Sequence, residues 1–294
     1  MKIETLVNLT GGELINRPYI SEVVSFTQNI DEVNRGTCFF ALNKKDIKEA
    51  VKKGAYAIIS TENVEILDNE IAWIVVDDFK KAVFNIFKYE NLKTKIYTTD
   101  KITASIIKSM NLEKNVVVIE DEFDDMIRAL NLHDKYIVSS NTLIKELFVN
   151  TEGLKSKNIM LTMKSLFKSE FKKTEINLPF VYKNNFSKAL NFFESNNLKY
   201  TLEFEIERFK PVFINSNFEE VEYGKSEKVL ITGLKNDEFL IDELNYIIKY
   251  TKHANSVIVD KKHTKYLKEK FNFAALIDYM PELKERKEKG LFDD

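Results

Sequence analysis

The residues of this chain best suited to chemistry are Lys101 and Thr103, in the stretch Thr98-Thr-Asp-Lys-Ile-Thr103. An ammonium and a hydroxyl at the turn between a short apolar run and an amphipathic stretch form part of a phosphate-binding strand–loop–helix. There the lysine meets phosphate oxygens and the hydroxyl meets Mg²⁺. Such loops also wrap phosphate in backbone N–H groups, which takes glycine where φ is positive or the backbone approaches closely. This loop has none; Ile102 is β-branched, and Asp100 would set a carboxylate beside a triphosphate. Two expectations follow. In one, the loop is vestigial and Thr99 or Asp100 is the N-cap of the helix that begins near Lys101. In the alternative, Lys101 and Thr103 contact ATP and Mg²⁺, with an acidic residue from Glu120-Asp-Glu-Phe-Asp-Asp125 helping to hold the metal.

Other reactive residues offer less. The acidic run lacks the ligand alternation and glycine of a calcium loop and suits a helix N-terminus. His133, His253 and His263 have no His or Cys neighbour at ligand spacing, and Cys38 sits in an alternating strand-like run with no nucleophile signature. Neither Gly-x-Ser-x-Gly nor Gly-x-Gly-x-x-Gly occurs, which removes support for serine hydrolase and dinucleotide chemistry. No catalytic residue, resident metal or cofactor is expected.

The elements that would position these residues follow from composition and periodicity. A chain of 294 residues exceeds one ordinary core. Lys and Arg total 44 against 46 Asp and Glu, well mixed, so no basic face for nucleic acid or an anionic membrane is implied. One cysteine excludes an intrachain disulfide, and the absence of a signal peptide or a membrane-length apolar run implies a cytoplasmic protein without membrane insertion. Only 8 glycines and 4 prolines leave little for ligand-wrapping loops. The 22 Phe and 12 Tyr, among them Phe186, Phe193, Tyr200, Phe204 and Phe209 with Leu190, are expected in cores, or else on a partner-binding face.

Short β-rich runs at 22–25, 37–42, 55–60 and 72–76, with helical spacing at 45–53 and 79–89, predict a small α/β unit, with Gly54 closing the first helix. From residue 95 the pattern alternates: strands at 95–98, 115–119 and 136–139, helices at 101–110, 123–130 and 142–148. That alternation favours a parallel sheet. Beyond it lie a helix at 186–195, extended runs at 202–209 and 211–215, and a βαβ-like stretch over 228–260. A charged tail over 281–294 is expected as a solvated helix. The fold class is α/β. The expected domains are 1–92, 93–222 as a reduced, mainly parallel α/β region, and 223–294.

Four ordered segments carry a more specific likeness: Leu9-Thr-Gly-Gly-Glu-Leu14, Ile20-Ser-Glu-Val-Val-Ser25, Val33-Asn-Arg-Gly-Thr-Cys-Phe-Phe-Ala-Leu42 and Ala50-Val-Lys-Lys-Gly-Ala-Tyr-Ala-Ile-Ile59. Together they resemble the first domain of the Mur ligases, most closely the MurF type. Those cytoplasmic enzymes use ATP to join amino acids or a dipeptide to a UDP-muramoyl peptidoglycan precursor. Weaker likenesses follow in the same order at 95–110, where such ligases place their ATP loop, at 177–190, and at 209–220 with 229–238. The family's Asp-Ser/Thr-Arg slot reads Asn29-Ile30-Asp31 here, and its loop after the Phe-x-Ala-Leu strand is shortened to Asn43-Lys44-Lys45. The resemblance thus implies a degenerate Mur-ligase-like pseudoenzyme that binds or scaffolds, with a cell-wall ligase or UDP-muramoyl precursor as partner. Thr27, Gln28, Asn29, Asn43 and Lys45 would be the substrate-binding positions. The alternative it implies is a divergent ATP-dependent ligase.

Overall fold

The computed structural model describes residues 1–120 and 123–284. Two compact units divide the chain, Met1–Ala104 with Glu113–Leu154, and Ser105–Leu112 with Lys155–Asp294. Asp121 and Glu122 of the acidic run, and the expected tail helix from residue 285 onward, lie outside the described residues.

The first unit begins with helix α1 (Ile3–Thr10), strands β1 (Glu13–Leu14), β2 (Ser25–Thr27) and β3 (Thr37–Phe40), and helix α2 (Ile47–Lys52). Strands β4 (Ala57–Ser60) and β5 (Ala72–Val75) and helix α3 (Phe79–Glu90) follow. The strands lie in the order β1-β5-β4-β3-β2, parallel except for β1 at the edge. Both faces of the central strands are covered, so their alternation partitions two apolar clusters instead of separating core from solvent. Cys38, Phe40, Ala57, Ile59 and Ile74 enter one cluster, whereas Phe39, Ala41, Ile58 and Trp73 enter the other. Burial pushes the Cys38 thiol far up, and it packs as a small apolar side chain. Gly54 closes α2 as expected: its φ is 91° and its N–H donates to the Val51 carbonyl at 3.0 Å. The strand expected at 22–25 is displaced to Ser25–Thr27.

The unit continues with β6 (Ile96–Thr98), α4 (Lys101–Met110), β7 (Val116–Ile119), α5 (Phe123–Leu130), β8 (Tyr136–Ser139), α6 (Thr142–Leu147) and β9 (Thr151–Gly153). These form the expected parallel sheet, in the order β7-β8-β6-β9. The first turn of α4 belongs to this unit and its remainder to the second. Helix α3 starts at an N-cap, Asp78, whose carboxylate accepts from the Lys81 N–H at 3.0 Å. Its buried face, Ala82, Val83, Ile86 and Phe87, packs toward α1 and α5, so both sheets share one apolar cluster.

A side chain fastens α5 to the edge strand β2. The Phe26 N–H donates to Asn131 Oδ1 at 2.8 Å, and Asn131 Nδ2 donates to the Phe26 carbonyl at 2.7 Å. Replacing Asn131 with alanine strands both main-chain groups, and the expected cost is about 1–3 kcal/mol. It should appear as a lowered urea midpoint at unchanged slope; an unmoved midpoint would show that water replaces the amide without loss.

The second unit holds an antiparallel sheet of β10 (Leu161–Met163), β11 (Ser169–Phe171) and β12 (Thr174–Ile176), then helix α7 (Lys183–Ser195). Strands β13 (Lys210–Ile214), β14 (Glu220–Val221) and β15 (Lys228–Leu234), helix α8 (Leu240–Tyr250), and strands β16 (Ser256–Val259) and β17 (Phe273–Ile277) complete it. The larger sheet has the order β14-β13-β15-β17-β16, with β15, β17 and β16 parallel. Residues 202–209, expected as an extended run, form no strand before β13 begins at Lys210. Phe186, Leu190, Phe193, Phe204 and Phe209 are all buried and Tyr200 is half-buried. Phe171 meets Phe186 edge-on at 5.3 Å and Phe209 meets Tyr246 at 5.8 Å, so these rings form the core.

Two features hold the corner before β13. Arg208 forks onto two carboxylates, donating to Asp237 at 2.7 and 2.8 Å and to Glu243 at 2.5 and 2.8 Å. Glu243 is fully buried and also accepts from the Tyr182 hydroxyl. Beside this network Gly233 adopts φ 76° where the pairing of β15 with β17 shifts register. A Cβ there would lie 1.9 Å from the Glu207 carbonyl oxygen.

Candidate functional site

Open parallel sheets place ligands at the carboxyl ends of strands, where neighbouring strands send their connections to opposite sides. In the second sheet of the first unit that point lies between β6 and β8. From β6 the chain crosses to β7, beyond β8; from β8 it crosses to β9, beyond β6. The first residue past β6 is tied to the last residue of β8, the Thr99 N–H donating to the Ser139 carbonyl at 2.9 Å. The hydroxyl oxygens of Thr99 and Ser140 are buried there without a hydrogen-bond partner among the described residues. Nothing in the sequence pattern marks these two hydroxyls, because their significance comes from strand order.

Helix α4 starts at this crevice. Asp100 Oδ1 accepts from the Thr103 N–H at 2.8 Å, and Asp100 Oδ2 accepts from the Thr103 hydroxyl at 2.9 Å. The Ala104 N–H donates to the Asp100 carbonyl at 3.0 Å. Asp100 is therefore the N-cap, and its negative charge sits against the positive end of the helix. Lys101 is exposed on the first turn, whereas Ile102 and Thr103 are buried. Of the two candidate ligand residues, the hydroxyl is committed to a neighbouring carboxylate and faces the interior.

The other predicted positions lie at or just past the ends of β2 and β3, adjacent parallel strands of the first sheet, so they share its carboxyl edge. Thr27 is buried and its hydroxyl donates to Glu32 Oε2 at 2.8 Å. Gln28 Nε2 donates to Asp124 in the first turn of α5, while Gln28 Oε1 is buried without a hydrogen-bond partner among the described residues. Asn29 Oδ1 accepts from the Asp31 N–H at 3.0 Å, and Asn43 Oδ1 accepts from the Lys45 N–H at 3.1 Å. Each asparagine thus caps a short 3₁₀ turn. Lys45 is exposed, and the neighbouring Lys44 pairs with Glu62 at 2.6 Å. These residues share an edge, yet most of their polar groups stabilise the turns that carry them.

Among the described residues no group of three or more His, Cys, Asp or Glu side chains is disposed to hold a metal ion. The same residues contain no helix long and apolar enough to cross a membrane.

Comparison with solved structures places this architecture. A crystal structure of MurF from Acinetobacter baumannii superposes with a TM-score of 0.50 at 10% identity, covering 88% of this chain and 78% of that one. The chain has a Mur-ligase-like fold. A Thermotoga maritima MurF ligase in complex with ADP matches at TM-score 0.46 and 10% identity, covering 86% of this chain and 93% of that one. An Acinetobacter baumannii UDP-N-acetylmuramoylalanyl-D-glutamyl-2,6-diaminopimelate–D-alanyl-D-alanyl ligase matches at 0.47 and 11%, covering 88% and 79%. No family model and no curated protein matches the chain. The Mur-like likeness is thus one of backbone, with the N-terminal segments of sequence lying on the strands of the first sheet and on the ends of α1 and α2.

Proposed function

We propose that this Mur-like chain is a binding or scaffolding protein of cytoplasmic peptidoglycan precursor synthesis that does not ligate. The observation that carries this reading is the double engagement of Asp100 with Thr103. A triphosphate does not fit that arrangement. The N–H and hydroxyl that would meet it already hold a carboxylate, and an added anion would face the charge of Asp100. With no glycine from Tyr97 to Met110, the backbone cannot open a nest in its place. The Mur-like fold favours a UDP-muramoyl precursor or a cell-wall ligase as partner, and the carboxyl edge carrying Thr27, Gln28, Asn29, Asn43 and Lys45 is where a precursor would be held.

Calorimetric titration tests both halves. With Mg²⁺ present, ATP should show no saturable binding tighter than about 1 mM, and Lys101→Ala should leave the trace unchanged. Saturable ATP binding that Lys101→Ala abolishes would restore the ligase reading. Titration with a UDP-muramoyl peptide, and recovery of a cell-wall ligase with the untagged protein, address the partner; failure of both would remove the cell-wall role.

A further inference from the structure

The second unit carries two clefts that meet along one stretch of chain. A cleft of about 560 Å³ lies between the start of α7 and one face of α8, and another of about 500 Å³ lies beside the β11–β12 hairpin. Lys157, Asn158 and Ile159 line both. These residues lead without helix or strand into β10, which is one of the two edge strands of its sheet. Along this approach the exposed Asn158, Met160 and Thr162 alternate with the buried Ile159 and Leu161; all but Leu161 line the second cleft, and Met160 is 87% exposed.

The charge of the groove is not balanced. Glu194 is already paired with Lys157 and Lys172, and Glu170 with Lys164. Lys173, Lys183 and Lys249 have no carboxylate within ion-pair reach among the described residues, and Asp242 is the acid left on the lining. Lys183 and Lys249 rest over the rings of Phe180 and Tyr250 at 5.7 and 5.1 Å, which places cations beside apolar surface.

The hairpin tip adds an independent observation. Phe171 pairs with Thr174, so Lys172 and Lys173 alone form the turn, with φ of 49° and 68°. A two-residue turn with both φ positive is the place for Asn-Gly, and a lysine there carries the steric cost of the left-handed region. Two adjacent like charges add to that cost. Strained residues of this kind concentrate where a surface contacts something else.

We propose that this groove binds an acidic, extended peptide segment of a partner protein, laid along 157–162 beside the free edge of β10. This names the partner chemistry for the binding role above and rests on that reading. An extended chain fits better than a compact anion because the two clefts share the stretch 157–159, which runs into an edge strand that offers main-chain pairing beyond Lys157, whose own N–H and carbonyl are held by Ser187.

The test is fluorescence anisotropy of the whole protein with a fluorescein-labelled alternating Glu-Val peptide, and a Lys-Val peptide as control. Saturable binding of the acidic peptide alone, weakening as salt rises, is expected. The pair Lys183→Gln/Lys249→Gln should lower affinity about tenfold with an unchanged melting temperature. The pair Lys172→Asn/Lys173→Gly should weaken binding while raising the melting temperature by about 2–4 °C, a combination that a purely structural turn would not give. Absence of acidic-peptide binding, affinity unchanged from the parent in both variants, or displacement of the peptide by inorganic tripolyphosphate at lower concentration would overturn the proposal. None of these outcomes bears on the ATP and UDP-muramoyl titrations.

Discussion

Replacing Gly233 with alanine is expected to destabilise the second unit by about 4 kcal/mol, near the upper end for a single substitution. The new Cβ would lie 1.9 Å from the Glu207 carbonyl oxygen and 2.9 Å from the Arg208 Cα, both backbone atoms that no rotamer change can move. It would also hold φ 76°, which alanine disfavours by about 1–2 kcal/mol. Gly224 supplies the control, because it has the same φ of 76° with nothing within 4 Å of a built Cβ. Gly224→Ala should therefore cost about 1–2 kcal/mol, the backbone part alone. Urea unfolding of the two variants separates the contributions; equal losses would mean that residues 207–208 shift away without penalty.

Arg208→Met is expected to cost about 3–5 kcal/mol at neutral pH. The substitution leaves Glu243 fully buried with the Tyr182 hydroxyl as its remaining partner in the network. Attraction within such a network offsets desolvation only while every member is present, so the loss reflects a stranded charge more than a missing bond. The double variant Arg208→Met/Glu243→Leu should recover much of the loss, since apolar residues can replace a buried pair at little cost. A double variant no more stable than the single one would refute this account.

The same network predicts a pH dependence. Partial burial pushes the Asp237 carboxyl up, but the hydrogen bonds from Arg208 and the Phe239 N–H outweigh it and hold the group below its ordinary value. A carboxylate with a depressed folded-state pKa contributes stability that is present above its unfolded value, about 4, and lost as pH falls through the folded value. The acid limb of the stability profile should therefore be shallower in Arg208→Met than in the parent.

Much of the parallel architecture was legible because its strands are buried on both faces. Ala-Ile-Ile-Ser at 57–60 and Val-Val-Val-Ile at 116–119 are short runs rich in β-branched residues, and they emerge as β4 and β7, buried throughout. The α4 boundaries follow equally directly from a cap and an apolar period. The β10–β12 sheet gave no such signal: its strands have three residues each, carry Glu, Ser and Thr, and turn on Lys172–Lys173 without glycine or asparagine. Phe273–Ile277 contains two alanines and no alternation, yet becomes a central strand because β15 and β16 flank it.

The candidate sites divide in the same way. That Asp100 would cap its helix could be inferred from a carboxylate at a helix start. That the Thr99 and Ser140 hydroxyls would be buried past the ends of adjacent strands, or that Asn29 and Asn43 would both be spent as caps, depended on strand order and turn geometry. Residue type does not encode either.

The clasp between Asn131 and Phe26 bears on how the chain behaves in a crowd. Strand β2 ends its sheet, and a bare edge invites another extended chain to add on. Here the amide of Asn131 takes the outward N–H and carbonyl of Phe26 together, as a neighbouring strand would. One side chain thus blunts an aggregation-prone border that would otherwise call for a longer loop or an extra helix.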